Sequence, residues 1–256
     1  MKSLSLVVFC VTLAAGLAAP AGNGTDNKVE ELIDAYLTWA EKVSQKIDPI
    51  ELKDVKNLPI VTLDPPVGIL LSAANRTVSG LSTSTVSDLV VENNTAQWRV
   101  TYPSISGESD YEAKGLFYGR ILKGQGHAKI DLINVTVDIS VTLRNINIRW
   151  PLTNTSYLQI AELSQTVSVG SVASNYTGLS VSGLTEDQVT KILDAQMTTS
   201  LNLNLPIWER IASESSKCQL NIALIGSTID DAINWLKKNT PTSSMVQSLM
   251  TKFTSL

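Results

Sequence analysis

The sequence predicts an α+β fold in which a strongly curved antiparallel sheet wraps long helices, and three observations carry that prediction. The first is the longest uninterrupted alternation in the chain, Gly126 to Leu143. Ala128, Ile130 and Leu132 share one parity, Val135, Val137, Ile139, Val141 and Leu143 share the other, and Ile133 is one residue too many between the two sets. A strand with one buried face alternates with a period of two, so the extra residue reads as a β-bulge that bends the strand. The second is helical spacing from Asn27 to Ile47, with Val29, Leu32, Ile33, Tyr36, Leu37, Trp39, Ala40, Val43 and Ile47 on one face. The third is order: one helix, many alternating strands, then helices. Alternation, rather than continuous apolar runs, argues against a parallel sheet buried on both faces.

Taken in order, Asn27 with Glu30 three residues on is a capping pair for the first helix. Its acidic polar face, with Glu30, Glu31, Asp34 and Glu41, suits a core-covering helix better than one seeking anionic lipid. Asp48-Pro49 ends it, and Pro59 and Pro65-Pro66 keep Leu52 to Val67 extended and irregular. Strands follow at Gly68 to Val78, Val86 to Val91 and Trp98 to Tyr102, with Glu92-Asn93-Asn94-Thr95 as a turn. Tyr111 to Lys123, the long strand, Arg144 to Trp150 and Tyr157 to Ser174 complete the strand-rich region. Thr185 to Gln188 then opens a helix through Met197. Leu201 to Leu205 reads as a short strand or extended bridge, Pro206 as the start of another helix, and Gln219 to Ile225 as a last short strand. Helices at Ile229 to Leu236 and around Val246, Leu249, Met250 and Phe253 close the chain.

The long strand's other face carries Lys129, Asp131, Asn134, Thr136, Asp138, Ser140 and Thr142. Asn134-Val135-Thr136 is an N-glycosylation acceptor, and a glycan cannot point into a core, so the polar face is outer and the apolar face concave. Something apolar must cover a concave row of Val, Ile and Leu: helices of the same chain or a bound ligand.

Lys2, the apolar run Leu4 to Ala15 and the small residues Gly16 to Ala21 form the layout of a secretory signal peptide, with cleavage after Ala18. Residues 1–18 are thus a leader and 19–256 one domain of a secreted, extracellular protein. No later segment approaches the roughly 20 apolar residues of a spanning helix, so no stable membrane insertion is expected. Loss of Lys2 leaves 19 Lys and Arg against 24 Asp and Glu, a net charge of −5, and without a basic stripe nucleic-acid binding is disfavoured. Cys10 leaves with the leader, so Cys218 stays alone and is expected as a buried small hydrophobe. Six acceptor sequons occur, at Asn23, Asn75, Asn93, Asn134, Asn154 and Asn175, and most are expected to carry glycans.

Catalysis and metal binding find little support. His127 is the only histidine, and Gly178 to Gly183 misses the nucleophile elbow because Ser182 stands where a second Gly belongs. One His and one Cys make no metal-ligand cluster, and no phosphate-binding glycine fingerprint occurs, so neither an enzyme nor a cofactor is expected. What remains is a set of large apolar residues, Trp39, Trp98, Val137, Ile139, Trp150, Trp208 and Trp235, which suit either core packing or the lining of an elongated apolar pocket.

Several short runs resemble the insect haemolymph juvenile-hormone-binding and takeout-like family: Ala74 to Leu81 (ANRTVSGL), Ser84 to Leu89, Val100 to Ile105 around Tyr102-Pro103, Tyr111 to Gly115 (YEAKG) and Gly124-Gln125-Gly126. Ile229 to Trp235 and Val246 to Phe253 are similar to its closing helices, and the helix before Asp48-Pro49 is shared with the mite group 7 allergen-like proteins. The resemblance runs from about Val29 to Phe253. It implies a super-roll of the tubular lipid-binding superfamily, a long helix wrapped in a curved sheet around an apolar tunnel, and a secreted carrier of lipids, fatty acids or terpenoids. The hormone-binding branch has an N-terminal cysteine pair, whereas no cysteine lies between Ala19 and Lys217 here, which moves the chain toward the group 7-like side. The expected partner is therefore a small hydrophobic ligand. An innate-immune protein binding microbial lipid, and a structural or surface-active glycoprotein with a filled core, are the other readings.

Overall fold

The computed structural model describes residues 27–62, 67–150 and 153–239, with the side chains at 27, 61–62, 147–150 and 153–155 also outside the description. The leader, the Asn23 sequon, Pro65-Pro66 and the helix expected around Val246 to Phe253 lie outside the described residues. Helix α1 (Asn27–Ile47) precedes β1 (Ile50–Leu52), β2 (Val55–Thr62), β3 (Val67–Ser79), a 3-10 turn (Leu81–Thr83), β4 (Thr85–Glu92), β5 (Thr95–Phe117), β6 (Arg120–Trp150), β7 (Thr153–Tyr176) and β8 (Leu179–Val181). Helices α2 (Glu186–Ala223) and α3 (Ile229–Lys238) follow. All eight strands join one antiparallel sheet, ordered β1-β3-β5-β6-β7, with β2 on β3, β4 on β5 and β8 on β6. The α+β class and the long curved antiparallel sheet on helices stand as predicted; the sheet does not close on itself, since β1, β2 and β3 lie at one side and β7 at the other.

The strands are longer than the alternation alone suggests. Trp98 to Tyr102 and Tyr111 to Lys123 are not separate elements: Thr95 to Phe117 is one strand, a two-residue turn follows, and β6 spans 31 residues. The turn residues Tyr118 and Gly119 have φ of 52° and 72°, the left-handed pair that a tight hairpin needs. Leu52 to Val67, expected as irregular, contains β2, whose Pro59 is accommodated because β2 pairs only with β3 and its other side is an edge.

The expected bend of the long strand belongs to three strands at once. The buried parity passes from Trp98, Val100 and Tyr102 to Ile105 on β5, across Asn134 to Val135 on β6, and from Val167 and Val169 to Val172 on β7. Pro103, Asn134 and Gly170 occupy this row, and the ladder resumes in the same register beyond it, with Tyr102 opposite Val135 and Ser104 opposite Ile133. An extra residue in one strand would throw its neighbours out of register; shared by three, it creases the sheet and leaves pairing intact. Each residue suits the row: Pro103 has no N–H to bond, Asn134 adopts φ 53°, and a Cβ on Gly170 would stand 3.1 Å from Asn134 Cβ. The irregular backbone is thus at Asn134, one residue past the predicted Ile133.

The chain after Gly183 differs most from expectation. Thr185 caps α2 in a box with Gln188, as predicted, but α2 then runs 38 residues without a break through Leu201–Leu205, Pro206 and Gln219–Ala223. The Leu201–Leu205 alternation, read as a short strand or extended bridge, lies on a helix instead: Leu205 is buried and Leu203, on the opposite side, is exposed. Pro206 removes one intrahelical hydrogen bond, and Asn204 Nδ2 donates to Ser200 O at 2.6 Å in the same turn. Cys218 is exposed on α2, correcting the expectation of a buried thiol.

Asp48 ties α1 to the sheet. Its carboxylate accepts from the Gly80 N–H at 3.0 Å, the Ser82 N–H at 2.8 Å and the Ser82 hydroxyl at 2.5 Å. Gly80, at φ 94°, is required there because a Cβ would lie 2.3 Å from Ser104 O.

Candidate functional site

The inner face of the sheet is built row by row from pairing register. Val100, Val137 and Val167 form one cross-strand row, and Trp98, Ile139 and Gln165 the next. Val100 and Val137 are completely buried, and Trp98, Ile139, Gln165 and Val167 nearly so. Helix α1 covers this part through Leu32, Ile33, Leu37, Ala40 and Val43, with the Tyr36 ring edge-on to Trp98 at 6.4 Å. Burial pushes the Tyr36 phenol up to about 12, so it stays neutral through the ordinary pH range. A second cluster, Tyr111, Ala113, Phe117, Leu122, Ala128, Leu179, Val181 and Val189, continues the same face toward the β5–β6 hairpin.

The apolar face outruns its cover. Leu58 and Ile60 of β2 pair with Leu71 and Ile69 of β3 and therefore share their face, the one that packs on the second cluster. Leu58 and Ile60 are nevertheless exposed, at 37% and 38%. Opposite its buried stripe, α2 also exposes Leu203, Ile207, Ile211 and Ile222. The described residues thus leave the β2 side of the sheet's inner face exposed.

The tryptophans separate by place. Trp39 is buried, its ring centroid 5.9 Å from that of Trp235, which is 44% exposed, and Trp39 with Glu31, Asp34, Thr38, Lys42 and Lys237 borders the cleft between α1 and α3 of about 320 Å³. Trp98 lies deep under α1, Trp208 is half-buried on α2, and the side chain of Trp150 is outside the description. Trp98, Val137 and Ile139 are brought together; Trp39 and Trp235 form a different place, and Trp208 joins neither.

Four buried polar atoms have no hydrogen-bond partner among the described residues: Trp39 Nε1, Trp98 Nε1, Gln165 Nε2 and Ser216 Oγ. Gln165 and Ser216 escape a search for chemical motifs. The signal for Gln165 is its parity, since on β7 it stands in the inward series with Val167 and Val169.

Elsewhere the polar groups are satisfied at the surface. His127 Nδ1 lies 3.2 Å from Asp110, whose carboxyl is held below the usual range by the Asn75 amide and then by His127. Ser180, the serine at the nucleophile position of the near-miss elbow, is exposed and its hydroxyl donates to Lys123 O at 3.3 Å. Among the described residues no group of three His, Cys, Asp or Glu could hold a metal, and no helix is long and apolar enough to cross a membrane. Asn75, Asn93, Asn134 and Asn175 are all exposed, the first three at positive φ; the side chain of Asn154 is outside the description.

A single antiparallel sheet creased around helices, apolar within and polar without, places the chain among the α+β proteins that roll one sheet over long helices. Its family is defined further: the model of the haemolymph juvenile hormone binding protein family matches residues 41–234, and the chain belongs to that family. The match holds although no cysteine lies between Ala19 and Lys217. Among solved structures the chain is similar to Epiphyas postvittana Takeout 1, at 16% identity over 72% of this chain and 82% of that one, with a TM-score of 0.38. It is also similar to lipopolysaccharide binding protein, at 11% identity and a TM-score of 0.37 over 74% of this chain, spanning 37% of that one. No curated protein matches by sequence.

Proposed function

We propose that the protein is a secreted, glycosylated carrier that holds a small hydrophobic ligand against the inner face of its sheet. The observation that carries this reading is the apolar face left uncovered by the helices, with Leu58, Ile60, Ile69 and Leu71 on it. Covering that face with an apolar molecule is worth about 25 cal/mol per Å² removed from water. Membership in a family named for binding juvenile hormone supports a lipid or terpenoid as the ligand. No covalent step is invoked, because binding by burial needs none.

Secretion is supported by the leader layout of residues 1–18, and glycosylation by the exposure of Asn75, Asn93, Asn134 and Asn175. Asn75 Nδ2 donates to Asp110 at 2.7 Å, and a glycosylated amide keeps one N–H for that bond. The test is native mass spectrometry of deglycosylated protein from its natural source, under gentle and denaturing conditions. A discrete mass lost on denaturation is expected. Identical masses, with no thermal shift from a panel of fatty acids and terpenoids, would exclude the carrier reading.

A further inference from the structure

Buried polar groups in folded proteins are nearly always paired, so orphaned donors on an apolar face call for an explanation. Trp98 Nε1 and Gln165 Nε2 are two of the four, and they flank Ile139 in one cross-strand row. At ladder spacing their strands stand about 9.5 Å apart, within the combined reach of an indole and a carboxamide. The third orphan, Ser216 Oγ, is on the buried side of α2. Helix α2 is pinned to β7 on either side of Gln165, by Glu209 on the Val167 N–H and by Asn221 on Ile160. Between those pins it presents the buried small residues Ala212, Ser213 and Ser216. The surroundings are otherwise apolar: Val137, Val141, Val167 and Leu163.

We infer that Trp98, Gln165 and Ser216 form a polar subsite for a ligand's oxygen-bearing end, a carbonyl, ester or carboxyl group, while its hydrocarbon part lies among the adjoining inward residues Val137, Val141, Leu163 and Val167. This rests on the carrier reading and names the ligand's chemistry. All three groups can donate and an oxygen can accept, whereas a pure hydrocarbon would leave them unpaired. A hydrocarbon is therefore discriminated against by the site's own orphaned donors.

The test competes 2-tridecanone and tridecane against a fluorescent apolar probe bound to the full chain, in the wild type and in Gln165→Leu. Loss of the amide should lower the ketone-to-alkane affinity ratio about tenfold, the scale of one buried hydrogen bond, and leave alkane affinity unchanged. The ligand-free variant should melt no lower than the wild type, because an orphaned polar group has been replaced by an apolar one of similar size. Trp98→Phe, which removes Nε1 and keeps an aromatic ring, should move the ratio the same way and stands in if Gln165→Leu does not fold. If both ligands displace the probe and the ratio is the same in wild type and variants, the subsite is refuted while the carrier reading stands. If neither ligand displaces the probe, both fall.

Discussion

Helices α1 and α2 cover the same sheet by different physics. Helix α1 is one-sided: Val29, Leu32, Ile33, Leu37, Ala40, Val43 and Ile47 are buried, and Lys28, Glu31, Asp34 and Lys42 face water. It lies over the sheet's centre, where backbone groups already pair with neighbouring strands, and so the helix itself contributes apolar area, with Asp48 just past its end accepting from the Gly80 and Ser82 N–H groups beyond β3. Helix α2 lies along β7, an edge strand whose N–H and C=O groups lack a neighbour. It supplies one. Asn221 accepts from the Ile160 N–H at 2.8 Å and donates to Ile160 O at 3.0 Å, as a strand would, and Glu209 accepts from the Val167 N–H at 2.6 Å. Just past α2, Ser227 O accepts from the Leu158 N–H at 2.8 Å. A sheet centre is recognised by burial, and a sheet edge needs hydrogen bonds as well.

The largest expected effect is on the burial side. Leu37→Ala, at a nearly inaccessible site, should cost about 2–5 kcal/mol in urea unfolding. A loss below 1 kcal/mol would mean that α1 is loosely seated. Pro206→Ala tests whether α2 is held against its own propensity. The side chain is exposed, so the exchange should raise stability by up to about 3 kcal/mol, and a loss would show that the proline is needed where it stands.

Asn221→Leu addresses the edge directly. It should cost about 1–3 kcal/mol and speed hydrogen exchange at the Ile160 amide more than at Val167; uniform acceleration would mean that α2 guards the edge by packing instead. The smallest effect is at α3, which opens with a Thr228–Asp231 capping box. The Asp231 carboxyl is held below its ordinary value by the Thr228 N–H and then by its hydroxyl. A lowered folded value gives stability that is full above the unfolded value and is lost as pH falls through the folded one. Fraying of α3 should therefore increase as pH drops below about 4, and Asp231→Asn should flatten that dependence in exchange measurements.

The same contrast separates what was legible from what was not. Helix α1 could be read because a helix on one apolar surface has one apolar stripe. Helix α2 could not: Leu205, Ala212 and Ser216 are buried while Leu203, Ile207, Ile211 and Ile222 face outward, so no single stripe marks it, and Pro206 interrupts the helical pattern in the sequence. Trp98, Val137 and Ile139 could be named as inward residues from parity. Gln165 belongs to the same row but carries no motif, and only pairing with Ile139 brings it to Trp98.

By itself the sequence determined the α+β class, the first helix, the inward parity of the strands and the place where that parity slips, because each depends on periodicity within one segment. Tertiary structure decided that the slip at Asn134 is shared with Pro103 and Gly170, that α2 runs unbroken, and that the sheet stays open. Those features depend on which strands and helices become neighbours, and residues far apart in the chain settle that through contacts no local pattern records.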